Sequence, residues 1–444
     1  MEPRLLLRPS LHGTGSYCVW TVFFVGMCMK KQHRNIWNYI NQHSRYRSEC
    51  LNLIASENLM SPGAQAALAT DLGNRYTVGQ VNKRWYPGCV YYDKIEKDAV
   101  ATAKKLFHAQ YVNLQPISGM VANMVAFYAL LKPHDLIFSL QVKHSGHYSH
   151  GTTGVLSLFD VRIEPIPFDE KDYTIDLEKT VKLIRRKSPN AIIVGTSEFL
   201  FPTPLRELRK VCDETETKIL YDAAHVSGLI AGQTFQNPLS EGADLLSMST
   251  NKTLSAPSHG LVACNDEKRF RNNIEHAIVP LFTSNHHAHH VAGLAITLSE
   301  FEHFGHDYAT QVIKNAQALA QELYNQGIAV LCAHKNFTES HTVLFDAKCS
   351  GSEAMRILEK ANIIVNPFQL PWNHENNPTG IRIGTNEVTR LGMKEKEMRI
   401  VAMLIASILL HGKKSETIRK EVVQIRHAYQ TVQYCFNSFQ NHIN

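Results

Sequence analysis

Between about residues 95 and 265 the chain alternates helical stretches with short, β-rich apolar segments, and this alternation constrains the fold more than any other feature. The segments Tyr111–Leu114, Leu136–Leu140, Ala191–Gly195, Ile219–Tyr221 and Leu245–Met248 each end in polar or small residues. Such a pattern marks an α/β domain built on a mostly parallel sheet. In open sheets of that kind ligands gather beyond the carboxyl ends of the strands, so those polar termini are where function is expected.

The flanks differ. Residues 34 to 49 carry an amphipathic helical pattern that reads as an N-terminal arm, and residues 291–326 read as one or two long helices. Ala329–Leu331 and Val343–Phe345 suggest strands of a smaller C-terminal α+β domain, closed by helical stretches at 393–411 and 415–436. The expected division is therefore 1–50 as extension and arm, 51–290 as the large domain and 291–444 as the small one. A chain of 444 residues with 44% hydrophobic content supports both cores. Its 46 basic and 40 acidic residues give +6, too weak and dispersed a surplus to argue for nucleic acid. Nine scattered cysteines without a Cys-x-x-Cys pair speak against a disulfide framework and for a reducing, cytoplasmic setting. The apolar run Tyr17–Met29 is too short to span a bilayer; it can be read as a weak signal segment or an uncleaved anchor, but an upstream start is the preferred reading, with folding information beginning near Met27 or Met29 and no membrane association expected.

Three features carry chemistry. Lys252, in Ser249-Thr-Asn-Lys252, follows a strand-like run and suits a lysine that attacks a carbonyl cofactor, which needs a lowered pKa. Asp222 ends a strand about thirty residues earlier, where a buried carboxylate can keep a pyridinium nitrogen protonated. Ser118-Gly119-Met120 lies at a strand-to-helix turn, where backbone N–H groups and the helix dipole hold phosphate. Each has an ordinary structural explanation, Asp222 as a helix N-cap and Lys252 as a solvated surface group. Together they point to a fold-type I pyridoxal 5'-phosphate (PLP) enzyme, with Lys252 as its Schiff-base lysine.

Six ordered segments make the resemblance specific: Leu53-Ile-Ala-Ser-Glu57-Asn58, Arg84-Trp-Tyr86-Pro-Gly88-Cys, Gln115-Pro-Ile-Ser-Gly119, His144-Ser-Gly-His147-Tyr-Ser-His-Gly151, Tyr221-Asp-Ala-Ala-His225-Val-Ser-Gly-Leu229 and Thr379-Gly-Ile-Arg382-Ile-Gly-Thr385. Over residues 35 to 410 the chain resembles the serine hydroxymethyltransferase family. The resemblance implies that His147 stacks on the cofactor ring, that His225 and Ser197 lie near its phenolic oxygen, and that Ser118, Gly119 and Ser249 bind phosphate. It further implies that Arg382 clamps the substrate carboxylate and that Glu57 moves a proton at the β-hydroxyl. Tyr76 and Tyr86 would stand near the substrate, in this family from a partner subunit; a homodimer or dimer of dimers is implied.

The pattern departs from the family around the phosphate and the folate. Asn251 replaces the usual histidine before the lysine, and Ala256-Pro-Ser-His-Gly260 replaces a Gly-Pro-Arg-Gly-Gly stretch, so an arginine is missing at Ser258. A glycine-rich loop becomes Pro280-Leu-Phe-Thr-Ser-Asn-His-His-Ala288, in which Thr283, Ser284 and Asn285 can still donate hydrogen bonds. The loop 366–378 is shorter, Phe368 stands near the pterin position, and Val142 and Tyr148 replace leucines expected to sandwich the folate. These differences are similar to those of paralogues such as the threonine transaldolases. The expected reaction is reversible cleavage of L-serine to glycine with transfer of the carbon to tetrahydrofolate. The alternatives are a folate-independent threonine aldolase or transaldolase and, last, an inactive binding paralogue. The run His286-His287-Ala-His289-His290 lacks a Cys or carboxylate neighbour at ligand spacing, so no metal is expected.

Overall fold

The computed structural model describes residues 31–373 and 378–436. The chain divides into a unit ending at Ser48 and a second beginning at Glu49. In the first, helix α1 spans Lys31–Ser48 and carries Arg45 and Arg47 in its last turn, where cations suit the helix dipole. The apolar run at 17–29 and residues 437–444 lie outside the described residues. No helix among those described is long and apolar enough to cross a membrane.

The second unit is built on a seven-stranded sheet. Its strands are β1 (Tyr111–Asn113), β2 (Leu136–Ser139), β3 (Arg162–Pro165), β4 (Ala191–Val194), β5 (Lys218–Asp222), β6 (Leu245–Ser249) and β7 (Gly260–Cys264), in the spatial order β1-β7-β6-β5-β4-β2-β3. All pairings are parallel except those of β7, which runs against both β6 and β1. The sheet is thus mostly parallel, as the alternation predicts. Strands β3 and β7 escape the sequence reading. The first is a half-exposed edge strand containing Arg162, Glu164 and Pro165. The second follows β6 after a connection too short for a helical crossover, so it can only turn back.

Neighbouring strand residues serve opposite faces. Ile192 and Val194 enter one core with Tyr221 and Met248, while Ala191 and Ile193 enter another with Leu220 and Val262. Burial on both sides is why these strands are apolar throughout. Helix α2 (Val90–Leu106) packs on the first face, and α3 (Gly119–Leu130), apolar nearly all round, is buried on the second. Ser118 caps α3, its Oγ accepting from the Val121 N–H at 3.1 Å.

Residues 291–326 form one helix, α4 (Ala288–Asn325), about 57 Å long at the usual rise. Its buried stripe passes from Val291, Leu294, Leu298 and Val312 in the sheet core to Leu319 and Leu323 in a second core. That second core lies against an antiparallel sheet of β8 (Ala329–Val330), β9 (Thr342–Asp346), β10 (Asn366–Phe368) and β11 (Gly380–Gly384), ordered β8-β9-β11-β10. Helices α5 (Glu395–Leu409) and α6 (Ser415–His427) complete it. The last helix is shorter than its sequence pattern suggests. Beyond it Gln433 donates its N–H to the Arg390 carbonyl and Arg390 Nη1 donates to the Tyr434 carbonyl, bonds that take the chain off the helical path.

Candidate active site

Beyond the carboxyl ends of β4, β5 and β6 lies a cavity of about 210 Å³, lined by Ser118, Gly119, Met120, His147, Ser197, Asp222, His225, Ser249 and Lys252 among others. The Lys and Asp that sequence reading pairs thus face one space. Asp222 is buried at the end of β5. Its Oδ2 accepts from Asn123 Nδ2 at 2.8 Å and lies 3.0 Å from His150 Nε2, while Oδ1 accepts the Ala224 N–H at 2.9 Å. Ser247 Oγ donates to Asn123 Oδ1 at 2.6 Å, which fixes the amide so that its NH₂ faces the carboxylate. Burial alone would raise the Asp222 pKa, but hydrogen bonding and charge from His150, then Asn123 and Lys252, hold it well below the usual carboxylate range. It stays an anion. Gly195, at φ +132°, makes room for it: a Cβ there would come within 2.4 Å of the Asp222 carbonyl oxygen.

Lys252 has its pKa lowered to about 8, chiefly by burial, with the charge of Arg382 acting the same way and Asp222 and Glu198 opposing. Asn58 Nδ2 donates to the Lys252 carbonyl at 2.9 Å and to the Tyr308 hydroxyl at 2.8 Å, anchoring the lysine loop. His147 is lowered to about 4, mainly by burial, and its Nδ1 accepts the Ser149 N–H at 3.3 Å. His225 is buried, its Nδ1 lacks a hydrogen-bond partner among the described residues, and it stacks on His341 at 5.9 Å between centroids. Burial, then the charges of Lys252 and Arg382, keeps His225 neutral.

Arg382, in β11, reaches across from the second core. Its Nη1 donates to the Ser197 carbonyl at 2.9 Å and to Glu198 Oε1 at 3.1 Å, and its Nε donates to Asn366 Oδ1 at 3.3 Å. The Glu198 pKa is raised by burial in spite of that partner.

At the other end, Gly119 abuts Ser249 so closely that a Cβ would sit 2.1 Å from Ser249 Oγ. Only glycine lets the start of α3 and the end of β6 close on one small volume, where Ser118, Ser249 and the first N–H groups of α3 converge. This suits a phosphate.

Other expected site residues lie outside the lining. Glu57 is exposed and accepts from Asn52 Nδ2 at 2.9 Å; its neighbour Asn58 makes the bond to Lys252. Tyr76 and Tyr86 pair at 5.3 Å and stay 56% and 47% exposed, beside the more exposed Trp85 and Tyr91. Of the replaced loop, Thr283 Oγ1 donates to the Ile278 carbonyl and Asn285 Oδ1 accepts the Thr77 N–H, so those two side chains are engaged within the chain. Asn123, His150 and Glu198 escaped the sequence reading. The signals were there: an amide inside an apolar helical run, a second histidine within the 144–151 segment, and an acid next to Ser197 before three apolar residues.

A buried lysine at lowered pKa, a buried anionic carboxylate, an uncharged imidazole and a helix start open to phosphate, all lining one cavity, fit PLP. The fold and this donor set define a PLP-dependent enzyme of fold type I. The family model described as serine hydroxymethyltransferase matches residues 29–405. The serine hydroxymethyltransferase of Methanosphaera stadtmanae is 43% identical over 412 residues, covering 92% of this chain and 96% of its own. That of Methanocaldococcus jannaschii is 44% identical over 407 residues, covering 90% and 94%. Among solved structures, an L-threonine transaldolase from Pseudomonas fluorescens superposes with a TM-score of 0.86 at 25% identity, covering 93% of this chain and 96% of that one. This chain belongs to the serine hydroxymethyltransferase family.

Proposed function

We propose that the chain cleaves L-serine reversibly to glycine and passes the hydroxymethyl carbon to tetrahydrofolate. The observation that carries this is the convergence of Lys252 and Asp222 on one cavity, with Arg382 bonded to the carbonyl of its lining residue Ser197, in a chain of this family. Bound PLP supplies an aldehyde carbon for covalent attachment and a ring that accepts the electron pair released at Cα. Lys252 would hold the cofactor through its amine, and its lowered pKa keeps a share of that amine uncharged near neutrality. Asp222 holds a proton at the ring nitrogen, and His150 and Asn123 fix the carboxylate for that task. His147, an uncharged imidazole, would cover the ring face, and His225 and Ser197 would serve the phenolic oxygen. Ser118, Gly119, Met120 and Ser249 hold the phosphate.

Arg382 takes the substrate carboxylate in a two-pronged bond, exchanging its contact with Glu198 for it. That contact would fix rotation about the Cα bond and so select which bond is cleaved. Glu57 removes the proton from the β-hydroxyl as the carbon–carbon bond opens. Tyr76 and Tyr86 reach the substrate of a second subunit, and the exposed cluster of Tyr76, Trp85, Tyr86, Val90 and Tyr91 supports a homodimer or a dimer of dimers. We further assign 51–290 to the cofactor domain and 291–444 to the small domain, and place the enzyme in a reducing cytoplasm. The buried free thiols of Cys50, Cys89, Cys212, Cys264, Cys332 and Cys435 support the latter.

The second reading, a folate-independent aldolase or transaldolase, is favoured by Val142 and Tyr148, 59% and 56% exposed, and by Phe368 on β10. Serine cleavage by the purified holoenzyme, with and without tetrahydrofolate, decides between them. Strong stimulation by folate supports the first reading. Equal rates on serine or threonine with and without folate overturn it in favour of the second.

A further inference from the structure

The residue after Ser258 is a histidine that no sequence pattern announces as functional. His259 is fully buried beside the Leu114 backbone, and among the described residues neither ring nitrogen has a hydrogen-bond partner of good geometry. Buried polar groups are rarely left so, which asks for an explanation in terms of something they bind. Its backbone is fastened to the lysine loop, His259 N–H donating to Thr250 Oγ1 and its carbonyl accepting the Thr250 N–H.

Two members of the histidine run face it from the start of α4. The ring centroids of His259 lie 6.0 Å from His287 and 5.9 Å from His290, and those of His287 and His290 are 4.9 Å apart. Each offers a ring nitrogen such that all three lie within 4.8 Å of one another. His290 Nδ1 stands 3.0 Å from the Ser258 carbonyl, which can only accept, so Nδ1 carries the proton and Nε2 keeps a lone pair. A backbone carbonyl fixing the tautomer of an imidazole in this way is the usual support of a metal-binding histidine.

We propose that His259, His287 and His290 form a three-histidine site for a divalent d-block cation, zinc foremost, with a fourth position open to water. Around tetrahedral zinc at normal Zn–N lengths the ligand nitrogens stand about 3.4 Å apart, a closure within reach of side-chain torsions of the exposed His287 and partly buried His290. The absence of a carboxylate from the set disfavours calcium and magnesium, and imidazole suits zinc, nickel or copper. The fold thereby completes a set that the run 286–290 alone does not contain. His286 is spoken for by the Tyr92 hydroxyl at 2.6 Å, and His289 packs against Gly73.

The test uses tag-free holoenzyme stripped with a chelator, then titrated with zinc in competition with a chromogenic chelator and separately with cobalt. The expected result is one ion per chain and the intense visible bands of tetrahedral cobalt. Affinity should fall about a hundredfold in His287→Ala and in His290→Ala, and remain unchanged in His289→Ala, which lies in the same run but outside the set. His259→Gln should abolish site binding; should that variant not fold, the three surface variants still decide. Absence of a stoichiometric ion, or equal weakening in His289→Ala and His290→Ala, overturns the proposal. The readout is the ion itself, so it stands or falls apart from the reaction assigned to Lys252.

Discussion

The Lys252–Asp222 end of the cavity and the segment from Thr77 to Glu96 both fix buried polar groups, but to opposite ends. Around Arg84, bonding capacity is largely consumed within the chain: the guanidinium contacts Asp93, Glu96 and the carbonyls of Thr77 and Gly79, and His286 joins Tyr92 to Thr77. Around Lys252 the supporting groups are fixed from behind while the working atoms face the cavity, as in the Ser247–Asn123–Asp222 chain. A closed network of buried charges stabilises one conformation; an open one is kept for a ligand. The difference separates residues whose loss should be read in chemistry from those whose loss should be read in stability.

The sharpest break would come at the lysine. Lys252→Ala should remove the cofactor adduct that borohydride traps and lower turnover on the order of 10⁴-fold or more, with little change in thermal midpoint. A persistent covalent adduct means another amine does this work. Glu57→Gln should cut turnover on serine on the order of 10²- to 10⁴-fold while the visible spectrum of bound cofactor stays normal. Loss of cofactor instead would move Glu57 to the structural side of the comparison.

Arg382→Ala should raise KM for the amino acid and lower kcat, together about 2–5 kcal/mol, because Glu198 is also left without its buried cation. An unchanged KM removes the clamp. The pH dependence of cofactor capture follows from the Lys252 pKa of about 8. Only the neutral amine attacks, so the rate at which stripped enzyme takes up PLP should rise about tenfold per pH unit below that value and level off above it. A profile still climbing to pH 10 would indicate an ordinary lysine. The smallest effect is expected across the divide: His286→Ala should cost about 1–3 kcal/mol in denaturant unfolding by removing the buried imidazole that joins the Tyr92 hydroxyl to Thr77, with KM for serine unchanged.

Much of the cavity lining was legible in the sequence because it gathers at strand ends. Leu245–Met248 and Ile219–Tyr221 are apolar for burial on both faces, so the polar residues just beyond them, Ser249, Lys252 and Asp222, stand out. What stayed hidden depends on distant partners. Nothing local marks Asn123 as the group that orients Asp222, because the amide comes from α3 and the carboxylate from β5. Glu198 gains meaning only from Arg382, which lies in another sheet. His259 sits in a stretch noted for what it lacks, and its neighbours come from α4. Boundaries failed where tertiary bonds compete with the helix, as beyond His427.

Helix α4 has a mechanical consequence. It is a shared member of both cores, and midway along it the Tyr308 hydroxyl is held by Asn58 and donates to the Asn386 carbonyl at 3.3 Å. Melting either core frays the same rod and loosens the strut behind the reactive amine. Heating should therefore erase the catalytic pocket and the C-terminal core in one cooperative step, not in sequence.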